Sequence, residues 1–307
     1  MRLKPWSEYG GIRGIRKKRV KPKMGKDSIL KEIQKLNPER DHERIVFLST
    51  CYDFSFDTTR ALELALFRTF CVPSISGLLD RTGEFGKRTQ KRYDDTDILV
   101  SELLEWGYSS ERGRRAIQRI NRLHGRFSIA NEDFLYVLST FLFEPIRWNR
   151  HYGWRPMCEQ EHLGLFYFWR AVGQGMQIQE IPEDYHTFER FNVEYERERF
   201  RFTPSNHRVG TATVELFVGW FPGMLAPMVR SAIYALLEPP LLTAFGFPKP
   251  SRLMRWAVPS LLKFRAGILR YLPSRRHPRL RTEMVHPSHP HGYVIEQLGP
   301  PEEAKGK

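Results

Sequence analysis

The chain has 307 residues, 41% hydrophobic and 27% charged, an ordinary globular balance in a length that fits one large or two ordinary domains and needs no disulfide or metal staple. Its three cysteines, Cys51, Cys71 and Cys158, stand far apart with no C-x-x-C, which excludes a disulfide scaffold, a thiolate zinc site and a four-cysteine iron–sulfur cluster and fits a reduced cytoplasm. The formal charge of +14 is uneven: residues 1–26 hold ten Lys/Arg against one acid, Glu8, so this tail carries +9 and the other 281 residues +5.

In chain order, residues 1–40 read as a basic, Gly/Pro-containing tail grading into a short polar helix over 28–36. Residues 1–26 contain no apolar h-region, so no secretory signal is expected. From about residue 57 to 273 the pattern is helical almost throughout. Asp57 is a candidate cap for a helix whose stripe includes Leu62, Ala65, Leu66 and Phe70. A Leu- and Glu-rich helix over 94–106 stops at Gly107. Ser109 or Ser110 caps the next, with Ala116, Ile117, Ile120, Leu123 and Phe127 at helical spacing. Asn131 caps a helix over 132–144 that ends at Pro145.

Further helices are expected over 159–172, 183–200, 206–220, 225–237 and 253–271, with prolines and glycines between them. The longest uncharged apolar stretch in the C-terminal half, residues 216–229, is broken by Pro222 and Pro227 and falls short of the roughly 18–20 residues that span a bilayer. No alternating β-branched runs bracketed by turn signals occur, and no repeat of 20–50 residues, so Rossmann, barrel and solenoid readings fail. The fold class expected is all-α: one compact helical domain over 41–273, preceded by the tail and short helix of 1–40 and followed by a Pro/His/Arg-rich extension over 274–307. A cytoplasmic protein without signal peptide or transmembrane helix, peripheral to a membrane through its tail, is the expected location.

Five constellations could carry chemistry. His124 sits on an apolar helix side with Ile117, Ile120 and Phe127. A neutral imidazole there is what a haem pocket needs, an axial nitrogen beside a dry wall, and also what a core histidine bonded to a carbonyl looks like. Arg92, Asp95 and Thr96 stand at i, i+3 and i+4 and share one face that continues onto Leu99, Leu103 and Trp106. Such a face could polarise bound oxygen; the alternative is a helix-start cluster of acid and hydroxyl.

The E-x-x-H matches Glu159/His162 and Glu183/His186 have the spacing of di-iron bundles. Chance supplies about 0.8 such matches in this composition. His286, His289 and His291 are separated by prolines that deny them a common helical face, and no H-E-x-x-H exists. Finally, Arg16-Lys17-Lys18-Arg19 with Lys21, Lys23 and Lys26 can bind phosphate on anionic lipid or nucleic acid, or remain a solvated tail. With no zinc finger or RRM-type motif, nucleic acid is the weaker partner class. Nucleophile elbow, P-loop and G-x-G-x-x-G are all missing.

Taken together, the order Leu62-Glu63-Leu64-Ala65-Leu66-Phe67-Arg68-Thr69-Phe70, Thr82-Gly83-Glu84-Phe85, Lys91-Arg92-Tyr93-Asp94-Asp95-Thr96, Ile120-Asn121-Arg122-Leu123-His124, Asn131-Glu132-Asp133-Phe134-Leu135-Tyr136, Tyr152-Gly153-Trp154-Arg155 and Ile181-Pro182 resembles the catalytic domain shared by the ER-bound oxygenase MpaB and the rubber oxygenases (latex-clearing proteins), closer to the MpaB branch. The resemblance covers roughly residues 50–210. It implies a globin-like helical core holding haem b. By position, the proximal iron ligand falls on His124, and the distal Arg and Thr on Arg92 and Thr96. The distal lysine of the rubber branch is replaced by Asp95, so a lysine-ligated closed state is excluded and an acid/base or Arg92-orienting role opens instead. The rubber branch also uses a nearby glutamate, for which Glu84 is a candidate.

The leading expectation is therefore a haem b-dependent oxygenase, with dioxygen as co-substrate, acting on C=C bonds of an isoprenoid-like or other unsaturated lipid. His124 would hold iron, Arg92 and Thr96 would stabilise bound dioxygen, and Asp95 would move a proton. Phe127, Phe134, Leu138 and Phe141 would line the hydrocarbon channel, and residues 1–26 would meet an anionic membrane surface. Two alternatives stand beside it: a non-catalytic haem-sensing or membrane/nucleic-acid adaptor, and a di-iron protein. Oligomeric state is not legible.

Overall fold

A computed structural model describes residues 27–273 and 275–300, so the basic tail of residues 1–26 and its expected membrane contact lie outside the described residues. The described residues form helices and short turns with no strand, which bears out the all-α class. In order the helices are α1 (Ser28–Ile33), α2 (His42–Leu48), α3 (Ser55–Phe70), α4 (Pro73–Thr82), α5 (Glu84–Lys87), α6 (Thr89–Trp106) and α7 (Glu111–His124). They continue as α8 (Asn131–Tyr152), α9 (Glu159–Gly175), α10 (Tyr185–Arg199), α11 (Pro204–Gly219), α12 (Ala226–Leu236), α13 (Pro239–Phe245) and α14 (Arg252–Leu269).

Several boundaries differ from the sequence expectation for identifiable reasons. Helix α3 starts at Ser55, so Asp57 lies inside its first turn. The Asp57 carboxylate instead accepts from the Trp148 indole (2.9 Å) and pairs with Arg265. Helix α8 does not end at Pro145 but runs through it to Tyr152. A mid-helix proline costs about 3 kcal/mol, and burial outweighs that cost: α8 packs along α3 and buries Leu142, Phe143, Pro145 and Trp148. Asn131 does not cap α8; its amide closes on the backbone of Gln179. Ser110 caps α7 as expected, accepting from Gly113 N–H.

The largest core joins α6, α7, α8 and α9 through Ile98, Leu103, Ile117, Leu142, Phe168 and Trp169. A second, around Phe67, Phe217 and Phe245, joins α3, α11 and α13. Ile29 and Ile33 of α1 pack on Ile45 and Leu48 of α2.

Acids of α6 hold the C-terminal segment. Ser288 N–H donates to Asp94 (2.8 Å), Arg281 pairs with Asp97 (2.5 Å), and Tyr293 donates to Glu102 (2.5 Å). Thr282 donates to Glu105 (2.6 Å), whose carboxyl burial pushes up to about 7. The helix before the cavity is thus fixed from its far side by residues almost two hundred positions later in the chain.

Arg155 neutralises two buried carboxylates, Asp53 (2.5 Å) and Glu161 (2.7 Å), and Glu161 is 0% exposed. Replacing one member of a buried pair leaves the other charged and unsolvated. Arg155→Met should lower the urea-unfolding free energy by about 3–5 kcal/mol. A loss under 1 kcal/mol would mean that these carboxylates do not depend on it.

Candidate functional site

The connection between α6 and α7 positions the two polar groups of interest. Gly107 has φ +80°, and a Cβ at Gly113 would lie 2.0 Å from the Gly107 carbonyl oxygen, so glycine is required at both positions for this tight turn. The turn sets α7 against α6. Between these helices, α3, α4, α8 and α9 lies a cavity of about 1570 Å³. Arg92, Asp95, Thr96 and His124 all line it, as do Phe127, Phe134, Leu138 and Phe141, so the side chains singled out in the sequence share one chamber.

His124 ends α7 and is half-buried, its ring 5.2 Å from that of Phe134. Its Nδ1 is buried with no hydrogen-bond partner, so the alternative of a core histidine bonded through that nitrogen to a carbonyl has no support. Burial first, and the nearby Arg92 charge second, push its pKa down to about 4. The imidazole is therefore neutral at physiological pH, with a nitrogen lone pair or N–H left uncommitted.

Arg92 donates to the Thr96 hydroxyl, which in turn donates to the Arg92 carbonyl (2.9 Å). The guanidinium lies 5.8 Å from the Phe85 ring centroid. Burial lowers its pKa, with the charges of Asp95 and Glu84 acting in the opposite direction. It remains a cation. No ion pair to Arg92 occurs among the described residues, although Asp95 is only three positions away.

Asp95 is committed elsewhere. Oδ2 accepts from Lys91 Nζ (2.6 Å) and Gly299 N–H (2.9 Å), and Oδ1 contacts His289 Nε2 (2.7 Å). Since α6 begins at Thr89, residues 92–96 lie within the helix rather than at its cap. Glu84 lines the cavity too, but its carboxylate is gripped by Arg88 (2.5 and 3.0 Å).

Of the remaining constellations only His289 reaches the chamber, through Asp95. His286 contacts the Arg281 carbonyl (3.1 Å), and His162 stacks on Tyr185. Among the described residues no group of three or more His, Cys, Asp or Glu could hold a metal ion. The sequence reading missed Trp169, whose buried indole N–H has no partner and which lines the cavity; its signal was only an aromatic at helical spacing. It also missed Gly299 and Pro300, which reach the cavity rim by a long-range contact that no local pattern announces.

The catalytic-domain family described as ER-bound oxygenase mpaB/B'/Rubber oxygenase matches residues 74–268. The match reaches α14, beyond the 50–210 expected, and begins after Phe70. The ER-bound oxygenase mpaB' of Penicillium brevicompactum is 27% identical over 242 residues, covering 73% of this chain and 57% of that relative. The ER-bound oxygenase mpaB of Penicillium roqueforti (strain FM164) is 34% identical over 132 residues, covering 41% of this chain and 44% of the relative. Its counterpart in P. brevicompactum is 33% identical over 132 residues, 41% of this chain and 34% of the relative. The chain thus spans between a third and somewhat more than half of the length of these relatives.

A histidine whose folded pKa is below its unfolded value of about 6.5 withholds a proton that the unfolded chain binds. It costs nothing above pH 6.5 and destabilises progressively as pH falls from about 6.5 to about 4. Relative to His124→Gln, the wild type should lose about 3 kcal/mol of unfolding free energy across that window. Parallel stability curves for the two proteins would show that His124 is not the neutral buried group described.

Proposed function

This chain belongs to the catalytic-domain family of the ER-bound oxygenases MpaB and MpaB′ and the rubber oxygenases, and we propose that it is a haem b-dependent oxygenase acting on C=C bonds of an isoprenoid-like or other unsaturated lipid. The observation that carries the reading is the pairing of a neutral histidine with a buried, unpartnered ring nitrogen and a buried guanidinium without an ion pair, in one apolar chamber. Unsatisfied buried polar atoms cost stability, and two line this cavity, His124 Nδ1 and Trp169 Nε1; beside the Arg92 charge that has no ion pair among the described residues they point to a missing ligand.

The residues present fit haem. His124 would ligate the iron, and the apolar walls suit a porphyrin. Haem bound there would supply the iron that activates dioxygen, the co-substrate. A volume of about 1570 Å³ exceeds the roughly 300–1,000 Å³ that a single drug-sized ligand occupies, which leaves room for a lipid chain beside the cofactor.

The chain's own groups divide the remaining work. Arg92 and Thr96 present a positive charge and a hydroxyl to developing negative charge in a site of low dielectric. Asp95 would hold or pass a proton, with His289 and Lys91 as its exchange partners. Phe127, Phe134, Leu138 and Phe141 would bind the hydrocarbon and keep water out. Among the described residues no single helix is long and apolar enough to cross a membrane, and α3 with α4 pass that test only as a pair bent by 96°. A cytoplasmic location at a membrane surface accords with the free thiols of Cys51, Cys71 and Cys158 and with the ER-bound character in the relatives' names. The anionic surface meeting residues 1–26 would supply the substrate.

The spectrum of purified protein expressed with haem precursor, with a pyridine haemochrome, tests the cofactor. A Soret band at about one haem per chain is expected, lost in His124→Ala. Wild type that stays silent on haemin titration would overturn the reading. In loaded protein, Arg92→Leu should retain the Soret band while kcat/KM for oxygen consumption with an unsaturated isoprenoid falls by about a hundredfold or more. Unchanged turnover would remove Arg92 from the site.

A further inference from the structure

Outside the tail, the modest +5 of the chain conceals two opposite regions. Residues 216–282 contain eleven Lys/Arg and one acid, Glu238, a local +10. The remaining residues, 27–215 and 283–307, therefore carry −5. From 239 to 282 there is no Asp or Glu at all.

Helix α14 stands in this basic region and turns its apolar residues outward. Leu253, Trp256, Leu261 and Phe264 are 66–68% exposed and Ile268 is 48% exposed. At about 100° per residue, positions 253, 256, 264 and 268 form one stripe, and Arg252, Lys263 and Arg270 fall together along the edge nearest Trp256. The opposite side holds the helix to the protein: Ala266 is buried, Arg265 pairs with Asp57 (2.9 Å) and lies 3.9 Å from the Phe56 ring centroid, and α12 packs alongside. Arg252, Arg255, Lys263, Arg270, Arg275 and Arg276 form no ion pair among the described residues.

We propose that this face of α14 docks on an anionic lipid bilayer, with Leu253, Trp256, Phe264 and Ile268 entering the headgroup–acyl boundary and Arg252, Lys263 and Arg270 meeting lipid phosphates and carboxylates. An exposed aromatic and aliphatic stripe edged by cations is the composition of an interfacial helix. Charge selects lipid over the other occupants. The chain's own first 26 residues carry +9 and are repelled by this face, and the same face of a second copy would set Arg252, Lys263 and Arg270 against their own equivalents. Nucleic acid would satisfy the arginines but leave the aliphatic stripe in water. The proposal concerns a different surface from residues 1–26 and stands whether or not haem binds.

The test is co-sedimentation of the full chain with phosphatidylcholine vesicles, with and without phosphatidylserine, at low and high salt. Three variants are compared, each checked for unchanged helical circular dichroism and melting: Trp256→Ser/Phe264→Ser, Arg252→Gln/Lys263→Gln/Arg270→Gln, and Arg16→Gln/Lys17→Gln/Lys18→Gln/Arg19→Gln. Wild type should partition onto phosphatidylserine vesicles. The α14 charge variant should partition about a hundredfold more weakly, at roughly 1 kcal/mol per cation. The α14 apolar variant should lose the binding that survives high salt, while the tail variant keeps that fraction. Binding unchanged in both α14 variants, binding abolished by the tail variant alone, or preferential binding of duplex DNA over phosphatidylserine vesicles would each overturn the proposal.

Discussion

Helix α6 can lie inside this protein because Lys91, Arg112 and the returning residues 281–299 together compensate its acids. Asp94, Asp95 and Glu102 are at most 3% exposed. An uncompensated buried carboxylate costs several kcal/mol, and none of these is left uncompensated. Asp94 and Asp95 accept backbone N–H groups from Ser288 and Gly299, Asp95 also pairs with Lys91, and Glu102 takes Arg112 and Tyr293. Glu105, which accepts from Arg281 N–H and from Thr282 rather than pairing with a cation, has its pKa pushed by burial up to about 7. The same helix presents Arg92 and Thr96 to the cavity, so anchoring the far side of α6 is what fixes the near side.

That division explains why some of the site was readable and some was not. The i, i+3, i+4 relation of Arg92, Asp95 and Thr96 is a local property of a helix, and it places all three on the cavity. His124 belongs with them because the apolar spacing of α7 is also local. The partners of Asp95 are not local: Gly299 and His289 lie about 200 positions away, and nothing in Lys91–Thr96 announces them. A run of acids near a helix start has an ordinary dipole explanation, and that explanation conceals a docking rail. The Pro145 boundary failed for the same reason, since a local breaking rule was set against burial along α3. Charge was misread by averaging: +5 spread over 281 residues looks unremarkable, whereas +10 concentrated in 216–282 does not.

The polar groups left unsatisfied are as informative as those that are paired. Arg155, Arg68 and Arg281 each meet carboxylates, which is how a buried guanidinium is ordinarily stabilised. Arg92 meets a hydroxyl and an aromatic face. His124 and Trp169, which both line the cavity, each keep a buried nitrogen with no partner. Among the described residues seven buried side-chain atoms lack a partner, and those of His124 and Trp169 share one cavity; local departures of this kind concentrate where a ligand completes the structure.

The cavity also depends on close packing beneath it. A Cβ at Gly173 of α9 would come within 2.5 Å of Leu138 Cδ2 and 2.7 Å of Ile181 Cδ1. Leu138 and Val172 both line the chamber, so glycine lets α9 approach α8 without pushing Leu138 inward. Gly164 does the same nearer the start of α9, where a Cβ would sit 2.7 Å from Ile45 Cγ2 of α2. The open volume is therefore not slack packing. It is bounded by helices drawn together at glycines on one side and by an acid-anchored helix on the other, and both constraints act against collapse of a space whose apolar walls would otherwise gain by closing.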